Sequence, residues 1–202
     1  MTARFSSLEE SDSNNALLST AEFFDPTTGK FTLTNGPMTA RRAHHAATLL
    51  SSGKVLLAAG SSDSAVGDIF DPTNNTFAST NAGGTELSFL TATLLADGRV
   101  PLTGGEVTFA FPNCYHLDGT LSSATASLFD SSIASLSATG DMSTSRGEWH
   151  TATALHDGKI LVAGGRTIVT LERRCMLAQK VNFLASAELF DPTGGSLLSR
   201  AA

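Results

Sequence analysis

The sequence predicts an all-β repeat fold of four-stranded antiparallel blades, and three observations support it. A sixteen-residue phrase that reads as a β-hairpin occurs three times, starting at His45, Leu90 and His150. A second strand–turn–strand phrase alternates with it and contains Asp25, Asp71, Asp130 and Asp191 in its four copies. The chain has 202 residues, of which 41% are hydrophobic and 16% charged. This composition suits a sizeable core and does not indicate disorder.

The first phrase predicts two strands, a and b, in each blade. Its copies read HAATLLSSGKVLLAAG, LTATLLADGRVPLTGG and HTATALHDGKILVAGG. Each has an apolar run, a two-residue turn signal, a second apolar run and a final pair of small residues. The second run, for example Lys54 to Ala59, is apolar without alternation. Such runs are typical of inner strands that are covered on both faces.

The second phrase predicts strands c and d around an Asp-Pro turn. Proline presets φ, and the aspartate side chain can bond nearby backbone amides. Strand c alternates more than strands a and b do. One equivalent site holds Glu22, Asp68, Ser127 and Glu188. Two residues later come Phe24, Phe70, Phe129 and Phe190, which are predicted to form the packing layer between blades.

The spacing of the second phrase indicates insertions. Its aspartates recur at intervals of 46, 59 and 61 residues, against a period of about 45 for a four-stranded blade. Both longer steps place an insertion directly after a glycine pair, Gly104-Gly105 or Gly164-Gly165. The predicted parts are a poorly ordered tail (1–15), a half blade (16–40), and blades 41–82, 83–141 with insertion 106–123, and 142–202 with insertion 166–185.

The order HxAxxLxxGKxLxAGG, AExFDPxTGxF, then Pro-Met and an arginine resembles the bacterial kelch repeat, which is similar to the central domain of galactose oxidase. The match runs from about Ala21 to Leu197. The resemblance implies a β-propeller segment of about three and a half blades, a partial propeller, because rings of this family have more. Three arrangements stay open: a fragment of a longer propeller, half of a ring completed by a second copy or another chain, and a stable open arc.

The insertions and the connections from strand d to the next strand a are expected on one face of the blades, where loops on a rigid scaffold carry binding residues. The predicted binding residues are Arg42, His45, Glu86, Phe89, Arg146, Glu148, Trp149 and His150. Arginine, acid and aromatic groups suit a carboxylate, a sugar or a peptide. The alternative is that the loops vary without consequence.

Not every member of this set has the same claim to a binding role. Arg42 and Arg146 recur at the kelch arginine position, and the resemblance offers a structural role in holding neighbouring blades together. His45 and His150 begin strand a and have packing and hydrogen bonding as their alternative. Glu86, Glu148 and Trp149 do not follow the repeat, so they are the better candidates for specificity.

The two cysteines, Cys114 and Cys175, lie one in each insertion. Because the insertions belong to adjacent blades, we expect that the thiols can meet. A disulfide here would contribute about 3 to 4.5 kcal/mol to stability on the chain-entropy model. It would favour an oxidising compartment, extracellular or at the cell surface, although the N-terminus lacks the apolar stretch of a secretory signal. Two free cysteines, or metal ligation, are the alternatives.

Composition and motifs argue against several functions. A net charge of −6 and a pI near 5.2 disfavour nucleic acid as a partner. No run of about 18 apolar residues predicts a membrane span. There is no nucleophile elbow, zinc helix or phosphate loop. The copper-radical chemistry of the galactose oxidase family needs two tyrosines, and this chain has only Tyr115. We therefore expect no catalytic residue, metal site or cofactor.

The predicted function is a non-catalytic binding module that presents loops from one face to a protein or glycan partner. One alternative is the scaffold fragment of a secreted galactose-oxidase-like or carbohydrate-active enzyme, whose catalytic residues lie outside this chain. A third hypothesis is a purely structural repeat without a ligand. Fold alone does not decide among them.

Overall fold

The computed structural model describes residues 4–5, 17–60, 67–82, 87–110, 118–173, 176–191 and 196–200. These residues form twenty strands, with no helix among them, and every strand pair is antiparallel. The predicted all-β class is therefore confirmed. The chain divides into two compact units, Met1–Glu86 and Leu87–Ala202.

The first unit contains two sheets. Its strands are β1 (Arg4–Phe5), β2 (Glu22–Asp25), β3 (Lys30–Leu33), β4 (Ala46–Leu49), β5 (Val55–Ala58), β6 (Gly67–Asp71) and β7 (Thr76–Thr80). One sheet has the order β1-β2-β3 and the other β4-β5-β6-β7. The second sheet thus has its four strands in chain order, as predicted for strands a to d. Of the stretch 1–15, only β1 is described, so the predicted order of this tail stays a prediction.

The second unit repeats the four-stranded pattern twice. Its strands are β8 (Leu87–Ser88), β9 (Thr91–Ala92), β10 (Arg99–Thr103), β11 (Glu106–Ala110), β12 (Asp118–Ser122), β13 (Ala126–Asp130), β14 (Ser135–Ala138), β15 (His150–Ala154), β16 (Ile160–Gly164), β17 (Arg166–Arg173), β18 (Met176–Phe183), β19 (Ala187–Asp191) and β20 (Ser196–Arg200). The four-stranded sheets have the orders β9-β10-β13-β14 and β15-β16-β19-β20.

The two insertions form hairpins beside each other. Strands β11 and β12 pair with β8 in a three-stranded sheet, and β17 pairs with β18. Strand β12 lies against β17, where the Thr170 hydroxyl accepts a hydrogen bond from the Thr120 amide at 2.9 Å and donates one to the Thr120 carbonyl at 2.8 Å. Cys114 and Cys175 lie outside the described residues, so the disulfide stays a prediction.

The phenylalanines of strand c contribute to the cores. Phe70, Phe129 and Phe190 are fully buried, or nearly so. In the second unit, Phe190 packs in one cluster with Leu128 of the preceding four-stranded sheet. For Phe190 this contact joins two sheets, as predicted for the phenylalanine layer, whereas Phe24, the fourth member of the predicted layer, is only half-buried. Burial of one such side chain contributes about 1.5 to 3 kcal/mol to folding.

The small residues at the end of each strand b allow a close approach of backbone. Two consecutive residues have positive φ in all three copies of the first phrase: Ala59 and Gly60, Gly104 and Gly105, Gly164 and Gly165. A Cβ at the second position would overlap the connection that enters strand a. At Gly105 it would lie 2.7 Å from the Ser88 carbonyl oxygen. Glycine is therefore required there by both φ and space.

Candidate functional site

Arg42 lies inside the first unit and bonds a carboxylate of strand c. Its Nε and Nη2 donate to Asp68 Oδ2 at 3.0 and 2.8 Å, and its Nη1 donates to the Ala59 carbonyl at 2.9 Å. The other oxygen, Asp68 Oδ1, accepts hydrogen bonds from the Thr39 amide and hydroxyl. Both charged side chains are 0% exposed. This guanidinium is therefore not available to a ligand at the surface.

Arg146 makes the equivalent ion pair in the second unit. Its Nη2 donates to Glu188 Oε1 at 3.1 Å, and its Nη1 donates to the carbonyls of Gly164 and Ser186. The Ser143 amide donates to Glu188 Oε2 at 2.6 Å. Arg146 is fully buried, and 2% of the Glu188 side chain is exposed. The acid site that recurs along strand c thus provides the partner of each arginine.

The backbone of both arginines connects them to the preceding repeat. The Arg42 amide donates to the Leu18 carbonyl at 3.0 Å, and the Arg146 amide donates to the Ser123 carbonyl at 2.8 Å. Leu18 and Ser123 lie shortly before strand c of the preceding repeat, whereas the arginine side chains reach strand c of the next one. This geometry fits the structural role that the kelch resemblance offered as the alternative to binding.

His150 is also tied into the second unit. Its ring nitrogens lie 2.6 Å from the Gly147 carbonyl oxygen and 3.0 Å from the Thr103 carbonyl oxygen, and the residue is 6% exposed. Its contacts are those of a packed, hydrogen-bonded histidine. His45 is half-buried in the first unit, and Phe89 is half-buried in the second. Glu86 lies outside the described residues.

Trp149, by contrast, lies at the surface of the second unit beside the second insertion, and the partly buried Glu148 precedes it. The Trp149 ring is parallel to the Phe183 ring, with 9° between their planes and 6.3 Å between centroids. The Arg166 guanidinium lies 4.7 Å from the Trp149 ring centroid, within cation–π distance. Trp149 is 67% exposed and Phe183 75%. We call Glu148, Trp149, Arg166 and Phe183 the aromatic surface.

A network of charges holds this surface in place. Arg166 Nη2 lies 2.7 Å from Glu148 Oε2, and Arg166 Nε lies 3.3 Å from Glu106 Oε1. The same Glu106 oxygen accepts the Glu148 amide at 3.1 Å. Glu106 is 5% exposed and therefore lies beneath the aromatic surface. There it bonds both Arg166 of β17 and the backbone of Glu148 in the connection to β15. A Cβ at Gly147 would overlap Glu106 Oε1, so glycine gives this carboxylate its space.

The backbone reinforces the network. The Gly147 amide donates to the Arg166 carbonyl at 2.8 Å, and the Arg166 amide donates to the Glu148 carbonyl at 3.2 Å. Along the same edge of β17, the Ile168 amide donates to Ser122 Oγ of β12 at 2.8 Å. The connection that carries Trp149 and the hairpin that carries Phe183 are therefore joined by main chain as well as by side chains.

Sequence reasoning missed Glu106, Arg166 and Phe183. Glu106 directly follows Gly105, and Arg166 directly follows Gly165, so the two hold equivalent positions in adjacent repeats. Opposite charges at one repeat position were the available signal. Phe183 has no such signal, because its proximity to Trp149 depends on the register Arg166↔Phe183 of the hairpin.

The backbone at Trp149 follows the repeat, although its residue type does not. His44, Phe89 and Trp149 each precede the first residue of the first phrase, and their φ values are 55°, 63° and 66°. This left-handed conformation is uncommon for bulky residues. The repeat thus presents a different side chain, His, Phe or Trp, from one shared backbone geometry.

Among the described residues, no group of three or more His, Cys, Asp or Glu side chains is arranged so that it could hold a metal ion. The described residues likewise include no helix long and apolar enough to cross a membrane.

The solved structures that resemble this chain include the following two. The protein YjhT aligns with a TM-score of 0.57 at 14% identity, over 80% of this chain and 52% of that one. A fungal alcohol oxidase of the AA5 family, in complex with copper, aligns with a TM-score of 0.47 at 16% identity, over 91% of this chain and 49% of that one. The chain therefore spans about half the length of each. No protein-family model matches the sequence, and no curated protein matches it. The likeness to YjhT extends to the fold alone, and the oxidase alignment carries no inference of its own.

Proposed function

We propose that this chain is a non-catalytic binding module whose aromatic surface contacts a protein or glycan partner. The main observation in support of this proposal is that the Trp149 and Phe183 rings are mostly exposed and lie parallel to each other. Exposed apolar groups rimmed by polar ones mark interaction sites, and Trp and Arg are common among the residues that dominate binding energy.

The contacts that position Arg166 beneath the aromatic surface favour a binding role. Arg166 is positioned by Glu106 and Glu148, and it lies against the Trp149 ring. A surface that is already ordered loses little conformational freedom when it binds, so more of the contact energy appears as affinity. The two aromatic faces supply apolar area, and Glu148 and Arg166 supply hydrogen-bonding groups at its rim.

For the architecture, we propose a segment of a kelch-type β-propeller. The three four-stranded sheets with a-b-c-d order and the buried arginine–carboxylate pairs support it. The fold-level likeness to YjhT, of which this chain covers about half, supports it as well.

The alternative proposal is that these repeats are the scaffold portion of a larger enzyme whose catalytic residues lie elsewhere. Its support is that the chain covers only 52% of the length of YjhT. Reading the coding sequence on both sides of this segment discriminates the two proposals. Further blades that carry a new cluster of Tyr, His and Cys ligands would favour the enzyme scaffold.

The binding proposal is tested by removing the aromatic rings. We expect Trp149→Ala and Phe183→Ala each to weaken binding about thirtyfold or more to the best ligand found on a glycan array or in a displayed peptide library. Ile133→Ala is the matched control, because Ile133 is 70% exposed on the β13–β14 turn, away from the aromatic surface. Unchanged affinity in both aromatic variants would refute the assignment.

A further inference from the structure

The outer edge of β18 is an open strand edge beside the aromatic surface. Strand β18 has eight residues, Met176–Phe183, and in the described part of the chain it pairs with β17 alone. Strand β17 has its other side occupied by β12 and by the connection at Gly147 and Glu148. On β18, all six residues 178–183 are exposed. An unpaired edge of this length is a template for another extended chain.

The hydrogen bonds of β17 reveal which β18 groups point outward. In an antiparallel ladder, residues alternate between pairs that bond each other and pairs whose N–H and C=O groups point away. The Leu184 amide bonds the Gly165 carbonyl at 2.9 Å, so this pair bonds across the hairpin. The next pair, Arg166↔Phe183, must then point outward, and the Arg166 amide does bond Glu148 instead.

The same alternation applies two residues further along the hairpin. Ile168 pairs with Val181, and the Ile168 amide points away from β18 to Ser122 Oγ. On β18 the outward N–H and C=O groups therefore belong to Phe183, Val181 and Gln179. Their side chains share one face with Arg166, which lies against Trp149. The open edge and the aromatic surface are parts of one continuous region.

We propose that an extended peptide segment of a partner protein adds to the outer edge of β18 as a further strand and packs its side chains against Val181, Phe183 and Trp149. This inference rests on the proposed binding function and assigns it a peptide ligand rather than a glycan. Strand addition uses main-chain hydrogen bonds for affinity and alternate side chains for specificity.

The chemistry of the edge determines what the peptide must be. Donors and acceptors on Gln179, Val181 and Phe183 repeat every second residue, a spacing that another β-strand matches along its length. Opposite Val181 and Phe183, an apolar or aromatic side chain adds to the exposed apolar face. Opposite Lys180, which is exposed on the other face, an acidic side chain forms a cross-strand charge pair. The preferred ligand is thus an extended segment that alternates apolar and acidic residues.

The experiment begins with selection of a phage-displayed library of random linear twelve-residue peptides against the full chain. The most enriched peptide is synthesised with a fluorescent label, and its affinity is measured by anisotropy. We expect Val181→Pro to weaken binding about tenfold or more, because proline removes an outward N–H without removing a β17–β18 bond. Val181→Thr keeps the N–H and is the matched control. We expect it to bind within about twofold of the wild type. Circular dichroism and melting of both variants report on folding.

A second measurement does not depend on any variant of the protein. Peptides N-methylated at alternate residues lose one set of donors, so one methylation register abolishes binding to the wild-type chain and the other preserves it. Equal binding by peptides of both methylation registers overturns strand addition. Two results of the first experiment overturn it as well: a library from which no peptide is enriched, and an affinity that is unchanged in Val181→Pro.

The two proposals fail in distinguishable ways. If Trp149→Ala weakens binding and Val181→Pro does not, the aromatic surface binds its ligand without an added strand. A glycan that binds through Trp149 while no peptide is enriched overturns strand addition in the same way. If neither Trp149→Ala nor Phe183→Ala weakens the binding of any ligand, the proposed function falls together with this inference.

Discussion

At the scale of single residues, two buried arginines each form an ion pair with a carboxylate of strand c, but the carboxylate differs. Arg42 precedes His45 by three residues and bonds an aspartate, whereas Arg146 precedes His150 by four and bonds a glutamate. The connection with one more residue between the arginine and the histidine is thus the one whose arginine bonds glutamate, the acid with the longer side chain. The repeat therefore keeps the ion pair while its connection length and its carboxylate change together.

Loss of the arginine alone is predicted to be costly. Arg42→Met leaves the Asp68 carboxylate buried without its cation, so we expect the free energy of unfolding to fall by about 3 to 5 kcal/mol in urea denaturation. The double variant Arg42→Met with Asp68→Leu removes both charges and is expected to recover much of this loss.

The surface pair Lys54–Asp71 is the control for that prediction. Its nitrogen and oxygen are 3.0 Å apart, similar to the distance in the buried pair, but 46% of the Lys54 side chain is exposed. Lys54→Met should cost less than about 1 kcal/mol. If Arg42→Met costs no more than Lys54→Met, the buried pair does not stabilise the connection.

At the scale of elements, the turns that follow strand c behave as their sequence predicts, with proline after Asp25 and Asp71 and serine after Asp130. Asp25, Asp71 and Asp130 each accept a backbone amide two residues ahead, at 2.8 or 2.9 Å. Their pKa values are lowered, mainly because hydroxyl and amide groups of the turn donate to the carboxylate. These bonds are local and need no distant partner, so the sequence was sufficient to predict them.

The turn between β6 and β7 provides a pH prediction. The hydroxyl and then the amide of Thr73, followed by Lys54, lower the pKa of Asp71 from 3.8 to about 2. Because the folded value lies below the unfolded one, the carboxylate stabilises the fold fully above pH 4, and this contribution is lost as the pH falls towards 2. Thr73→Val should raise the pKa of Asp71 in an NMR titration, whereas Thr73→Ser should preserve it. A Thr73→Val titration identical to the wild type would contradict the assigned cause.

At the scale of the whole chain, the repeats leave apolar side chains at the surface. In the first unit, Leu33 is 61% exposed and Leu49 60%. Repeat proteins need their end repeats covered, because uncovered faces and sheet edges associate with other chains.

We therefore expect this chain to self-associate. Light scattering coupled to size exclusion should give a mass above 20.9 kDa, and a discrete species near twice that value would identify a dimer. The same measurement on Val181→Pro tests whether the β18 edge forms the contact between copies. If this variant has the same mass as the wild type, the β18 edge is not part of that contact. A single monomeric species at all concentrations would contradict the expectation.

The fold was largely predictable because its signals are local. Turn dipeptides, apolar runs and the repeat period predicted the all-β class and the antiparallel strands of the sheets. The candidate site was only partly predictable: Glu148 and Trp149 were singled out, but their neighbours were not. Arg42, Arg146 and His150 also entered the predicted binding set, and their side chains prove to be buried and bonded within the chain.

The sequence by itself determined the strand types, their order along the chain and the turn chemistry, because each depends on residues close together in the chain. Only the tertiary structure decided which side chains meet. Glu106 and Arg166 are 60 residues apart in sequence yet in contact, and Phe183 reaches Trp149 through the hairpin register. Such contacts depend on how neighbouring sheets and hairpins pack, and the free energy of that packing is shared among many residues rather than encoded at the two that touch.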